Sequence, residues 1–77
     1  MKVSIRLHGI LRDKLPTENK GRANLTLPGG ATVKDLLTRF DIQNVVGVSV
    51  NEELEIEENH PLHEGDHVEF FRIVGGG

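Results

Sequence analysis

The residues most open to chemistry stand at the end of the chain, where Ile73-Val74-Gly75-Gly76-Gly77 closes on a free carboxylate at Gly77. Glycine lacks a Cβ, so Gly75, Gly76 and Gly77 can thread a cleft too narrow for other residues and take backbone angles that others avoid. Ordering each tail residue in a partner takes roughly 1–2 kcal/mol, which contacts made by the rest of the domain must offset. By composition alone the same run reads equally well as a loose end. Histidines supply a second candidate, since His60-x-x-His63-x-x-x-His67 has ligand-like spacing. However, His60 precedes Pro61, His63 lies before a Gly65-Asp66 turn and His67 opens a strand, so solvated surface histidines are the favoured reading. The acidic run Glu52, Glu53, Glu55, Glu57 and Glu58 offers carboxylates for acid–base work, but strand neighbours point to opposite faces and no nucleophile accompanies them. A solvated, partner-facing rim is favoured there. Gly29-Gly30 lacks the spaced glycines and the Lys-Ser/Thr of a phosphate loop, and turn chemistry suffices for it.

Elements must position these residues, and the length limits them. Seventy-seven residues fit one compact domain with little room for an enclosed pocket, which makes a bound partner the expected mode of action. There is no cysteine, so disulfides, thiolate metal sites and a cysteine nucleophile are excluded. The start, Met1-Lys2-Val3-Ser4-Ile5-Arg6-Leu7, alternates, and no window approaches the ~20 apolar residues of a membrane span. A cytoplasmic protein without membrane contact is expected. A net charge of −3 argues against a nucleic-acid partner. Residues 1–40 set eight Lys/Arg against three acids, for +5, while residues 41–77 set Arg72 against nine acids, for −8. This segregation reads either as a drifted solvated surface or as electrostatic steering of a partner.

Val3, Ile5 and Leu7 alternate with Ser4, Arg6 and His8, which predicts a first strand. Residues 9–21 read as a loop anchored by Ile10, Leu11 and Leu15. Ala23, Leu25 and Leu27 predict a second strand, ended by Pro28-Gly29-Gly30. The period then changes: Val33, Leu36, Leu37 and Phe40 form one apolar stripe of a helix, with Thr32 as N-cap and Asp35 three residues on, in the manner of a capping box. Val48-Ser49-Val50-Asn51, Leu54 with Ile56, and His67 to Ile73 predict three more strands. The order is β-β-α-β-β-β, one main helix packed on one face of a mixed sheet, an α+β fold. In the last strand Val68 and Phe70 face the helix. His67, Glu69, Phe71 and Ile73 point the other way, leaving Phe71 in solvent beside the tail.

Several stretches together resemble one family, the MoaD/ThiS-like sulfur carriers of molybdopterin and thiamin biosynthesis, relatives of ubiquitin. Leu7-His8-Gly9-Ile10-Leu11-Arg12-Asp13 is similar to the family's strand-one exit and Thr32-Val33-Lys34-Asp35-Leu36-Leu37 to its helix start. Val48-Ser49-Val50-Asn51 resembles its third strand, Gly65-Asp66-His67-Val68-Glu69-Phe70-Phe71 its last, and Gly76-Gly77 its functional pair. The resemblance spans the chain and implies a ubiquitin-like β-grasp domain over residues 1–73 with a flexible glycine tail at 74–77.

What the resemblance implies for chemistry is a protein co-substrate and not an enzyme. A ubiquitin-activating-like adenylyltransferase spends ATP to adenylate the Gly77 carboxylate, and a sulfur donor, a sulfurtransferase or cysteine desulfurase, displaces AMP to leave a thiocarboxylate. A synthase large subunit or a thiazole synthase then uses that sulfur. No cofactor or metal is bound by the carrier. Gly75 and Gly76 thread the partner's cleft, while Glu69, Phe71, Arg72, Ile73 and Val74 make the partner-binding patch. The long first connection, Leu11-Arg12-Asp13 and Phe70-Phe71 look closer to molybdopterin carriers, and Arg72-Ile73-Val74-Gly75 looks more thiamin-like. A protein modifier, using the same tail for an isopeptide bond, and a β-grasp binding module that does not need the tail complete the alternatives.

Overall fold

The computed structural model describes residues 1–42, 46–54 and 56–72. Strand β1 (Lys2–Leu7) leads through two short 3-10 turns (Gly9–Lys14 and Thr17–Asn19) into β2 (Arg22–Thr26). Helix α1 (Val33–Arg39), β3 (Val46–Val50) and β4 (His67–Arg72) follow. The sheet order is β2-β1-β4-β3, with β1 and β4 parallel and the two outer pairs antiparallel. This is the mixed sheet with one helix on one face that the alternation patterns predict.

The alternation of β1 sends Val3, Ile5 and Leu7 into the core, and the same parity sends Val48 and Val50 of β3 and Val68 and Phe70 of β4 there. They meet Val33 and Leu36 of α1, closed off by Phe40, Ile42, Leu27 and Leu62. Phe70, Ile5, Leu7, Leu36, Val33 and Val68 are the largest fully buried side chains. Ala23 and Leu25 on the edge strand β2 are only half-buried, because no strand lies beyond them to complete their cover.

Helix α1 begins as its sequence predicts. The Thr32 amide donates to Asp35 Oδ2 at 2.8 Å, the reciprocal arm of a capping box. Two more of the first-turn amides are satisfied from outside: Val33 N–H donates to the His60 carbonyl (3.1 Å) and Lys34 N–H to the Glu58 carbonyl (2.7 Å).

That docking explains a departure from the five-strand expectation. Among the described residues, Leu54 and Ile56 form no strand. Leu54 is 63% exposed, and among the described residues nearby the pairing is an isolated bridge between Val50 and Glu53. Asn51 and Glu52 both take positive φ (51° and 72°), so β3 ends in a tight reversal that goes no further. The following chain spends its backbone groups capping α1 and bonding Leu62 N–H to the Ala31 carbonyl, in place of a further antiparallel ladder. The loop over residues 9–21 is likewise tighter than expected. Leu11 is buried and Leu15 half-buried, but Ile10 is 61% exposed and anchors nothing in the core. Gly21 closes this connection with φ +76°, and a Cβ there would lie 2.5 Å from the Leu7 carbonyl oxygen.

Truncating the buried ring in Phe70→Ala is expected to lower unfolding stability by roughly 3–5 kcal/mol. Thr32→Ala, which removes only the cap, should lower it by roughly 0.5–2 kcal/mol. Urea unfolding of both variants measures this, and equal, small losses would mean that the faces of β4 are assigned wrongly.

Candidate functional site

The site is built on the sheet face opposite α1. Residues of odd parity to the core, Ser4, Arg6 and His8 from β1 and its exit, His67, Glu69 and Phe71 from β4, and Gly47 and Ser49 from β3, all point there. The parallel register sets Ser4 beside His67 and Arg6 beside Glu69, and the antiparallel one sets Ser49 opposite Glu69 and Gly47 opposite Phe71. Residues distant in sequence are thus gathered in one row leading to the end of β4.

Glu69 is the hub of this row. His8 Nε2 lies 3.0 Å from Glu69 Oε1 and, with a carboxylate as acceptor, carries the proton. His67 Nε2 approaches the same oxygen at 3.8 Å, and Ser49 donates its hydroxyl to Oε2 at 3.4 Å. Ser4 Oγ and His67 Nδ1 are 2.8 Å apart and fix the second imidazole. The hydrogen bond from His8 holds the Glu69 carboxyl below the usual carboxylate range; partial burial opposes this, and the charges of His8 and His67 and the Ser49 hydroxyl add to the lowering. Ser49 itself is buried and bonded, and no buried side-chain polar atom among the described residues lacks a partner.

Phe71 is half-buried, not left in solvent as the alternation suggested. The reason is Gly47: the Phe71 ring occupies the space where a Cβ on Gly47 would stand. On its other side the ring meets His8 edge-on, with centroids 6.5 Å apart and planes at 73°. The ring therefore lies across β3 at Gly47 and against the imidazole of His8, and remains partly exposed. An aromatic ring fixed this way loses little further freedom on binding, which suits a contact anchor.

Of the other residues proposed from the sequence, Arg72 is exposed at the end of β4 with parity opposite to Phe71. Ile73, Val74, Gly75, Gly76 and Gly77 lie outside the described residues. His60, His63 and His67 are not brought together: His63 faces Asp66 at 3.9 Å while His67 turns to Ser4 and Glu69. Among the described residues no group of three His, Asp or Glu side chains is placed to hold a metal ion. Nor is any helix among them long and apolar enough to cross a membrane. His8, Ser49 and Gly47 were not singled out by sequence reasoning. The signal for His8 was its parity with Ser4 and Arg6, and Gly47 sits two residues before Ser49 on the same face.

The ThiS family model matches residues 5–77, which takes in β2 to β4, the second half of β1, Glu69 and the terminal glycines. The chain belongs to the ThiS family. These are the sulfur carriers that its sequence resembles. Three solved structures share its fold. One is a putative molybdopterin converting factor subunit 1 from Pyrococcus furiosus, 22% identical over 96% of this chain and 99% of that one, with a TM-score of 0.77. Another is the complex of subunits 1 and 2 of molybdopterin-converting factor from Helicobacter pylori, 20% identical over the whole of both chains, TM-score 0.65. A third is the thiamine biosynthesis protein ThiS from Geobacter metallireducens, 20% identical over 96% and 99%, TM-score 0.59. At these identities the likeness is one of fold, the ubiquitin-like β-grasp. No curated protein sequence matches the chain.

Because the Glu69 carboxyl is depressed in the folded state, its ionised form stabilises the fold above the unfolded carboxylate value, about 4.3. That contribution is lost as pH falls through the still lower folded value. Glu69→Gln should therefore be less stable than wild type at neutral pH, with the gap closing below about pH 4. Urea unfolding across that range decides it; a gap that stays constant would show that the carboxylate's charge plays no part.

Proposed function

We propose that this ThiS-family chain carries sulfur as a thiocarboxylate at Gly77 and delivers it as a protein co-substrate. The observation that carries the reading is the family match running unbroken from β1 to Gly77. A carboxylate is a poor electrophile. In the proposed sequence one Gly77 oxygen attacks the α-phosphorus of ATP in the adenylyltransferase and pyrophosphate leaves; the outer sulfur of a persulfide on the donor protein then displaces AMP from the acyl carbon, and a second thiol cleaves the resulting acyl disulfide, leaving the thiocarboxylate and a protein disulfide. The thiocarboxylate sulfur stays ionised at neutral pH and attacks an activated precursor in a synthase. Apart from the Gly77 carboxyl group itself, the carrier's residues supply no base or nucleophile to these steps; they dock the domain and present the tail. Five residues follow Arg72, a reach of at most roughly 17 Å when extended, so the docking patch must sit close to the partner's reaction centre.

In this reading the sheet face carrying Phe71 and Glu69 contacts the partner, with Arg72, Ile73 and Val74 alongside and Gly75 and Gly76 in the cleft. The molybdopterin branch is proposed, with the large subunit of the synthase as recipient. The Helicobacter pylori relative is a complex of two subunits of molybdopterin-converting factor, which supports a two-subunit arrangement for this chain. A second reading, delivery to a thiazole synthase, is favoured by Arg72-Ile73-Val74-Gly75 and by the likeness to the Geobacter metallireducens protein. Copurification with either recipient separates the two.

Incubation with an adenylyltransferase, ATP and a sulfur donor is expected to exchange one oxygen of Gly77 for sulfur, read by intact-mass spectrometry. An unchanged mass with an enzyme that is active on another carrier, or equal modification of a chain lacking Gly77, overturns the proposal. Phe71→Ala should weaken adenylyltransferase binding by ~2 kcal/mol or more. Since the ring also packs on Gly47, it should reduce fold stability by roughly 1 kcal/mol, well short of Phe70→Ala. Titration calorimetry and thermal melts on the same variant check both halves.

A further inference from the structure

The face that carries Phe71 also carries a cationic trough on its other side. Arg6 of β1 and Arg22 of β2 are direct cross-strand partners. Both have the parity that points away from α1, since Val3, Ile5 and Leu7 of the alternate set are buried. Like charges placed directly opposite one another on a sheet are destabilising, so the arrangement needs a reason. An internal one is missing. Among the described residues the side chains of Arg6 and Arg22 make no ion pair or hydrogen bond. The nearest acid in register with Arg6 is Glu69, but its oxygens are taken up by His8, His67 and Ser49.

Both arginines line an open groove of about 410 Å³, together with Ser4, Asn19, Asn24 and His67 and with Ile5 and Ala23 of the two strands. Through Ser4 and Asn24 it continues into a second groove of about 460 Å³ that reaches Lys2. Glu64, at that far end, accepts a hydrogen bond from the Lys2 amide at 3.0 Å, which leaves the anion-binding character at the Arg6 and Arg22 end. From Lys2 to Arg6 the trough follows β1 for roughly 13 Å, too long for one compact ion and the length of a short extended peptide.

We infer that this trough docks an extended acidic segment of a partner protein, with one carboxylate of that segment held between Arg6 and Arg22. Guanidinium groups present paired donors in a planar fork that matches a carboxylate, and Asn24 adds an amide donor beside them. The remainder of the molecule favours a short acidic peptide over a longer polyanion. Residues 41–77 carry a net −8, which repels a polyphosphate that extends beyond the trough. The inference does not rest on sulfur transfer, and it places a second, electrostatic contact beside the aromatic one at Phe71.

The test is titration of the isotopically labelled full chain with a blocked tetrapeptide of glutamate and aspartate, followed by amide chemical shifts at low and physiological salt. Shifts should concentrate at residues 2–6, 19–24 and 67 and shrink as salt rises. Arg6→Gln with Arg22→Gln should weaken the peptide about ten-fold or more while leaving the melting temperature unchanged or higher, since the like-charge pair is gone. The charge-matched control, Arg12→Gln with Lys14→Gln on the first 3-10 turn, should bind as wild type. Equal weakening in the control would reduce the effect to net charge and overturn the inference, as would shifts scattered over the surface. Saturation of the same amides by inorganic phosphate alone, or tighter binding there of a charge-matched oligothymidylate, would also overturn it in favour of a compact-anion or nucleic-acid site.

Discussion

The parallel pairing of β1 with β4 is the constraint on which the rest of the structure depends. It joins the first strand to the last, Ser4 beside His67 through Leu7 beside Phe70, and is fastened at both ends by Ser4 N–H to the Asp66 carbonyl (2.9 Å) and His8 N–H to the Phe70 carbonyl (3.0 Å). A one-residue slip would turn Val68 and Phe70 out of the core and Glu69 into it. Asp66 guards that register from the turn side. Buried, it accepts from the Asn51 side chain and the His63 amide, while Asn51 in turn accepts from His67 N–H. The entry to β4 is thereby tied to the exit of β3.

From this register follow two surfaces with different duties. One side of β4 belongs to the core and fixes the fold; the other side gathers Glu69, His67 and Phe71 with His8, Ser49 and Gly47 from neighbouring strands. The hydrogen-bonded carboxylate stiffens the middle of the row, and the absent side chain at Gly47 lets Phe71 lie flat at the end from which the chain continues toward Gly77. The histidines that looked like metal ligands in the sequence are divided between these duties: His67 supports Glu69, and the backbone of His60 caps α1. Of the glutamates at residues 52–58, Glu58 acts through its main chain, whose carbonyl caps α1.

Much of this was legible in the residues because period-2 and period-3.6 burial leave direct marks. Val3, Ile5 and Leu7, the stripe Val33, Leu36, Leu37 and Phe40, and the Thr32 with Asp35 box all formed where their spacing placed them. Leu54 and Ile56 misled because an apolar pair in alternation carries no information about what the backbone is needed for. Two positive φ values at Asn51 and Glu52, and carbonyls drawn to α1, decided that segment. Phe71 was given the correct face but the wrong burial, since what covers it is a glycine on another strand, a relation that only the β3–β4 register creates. The terminal glycines are read from glycine chemistry and family pattern alone, and they lie outside the described residues.

The central claim is that β4 presents Phe71 and Glu69 to the partner and keeps Val68 and Phe70 for the core. Cross-saturation in the complex with the adenylyltransferase measures it most directly, by recording which carrier protons lose intensity when the partner's are irradiated. The account predicts strong losses for the rings of Phe71 and His8 and little for the Val68 methyls and the Phe70 ring. Losses confined to the α1 side, with Phe71 and His8 untouched, would contradict it.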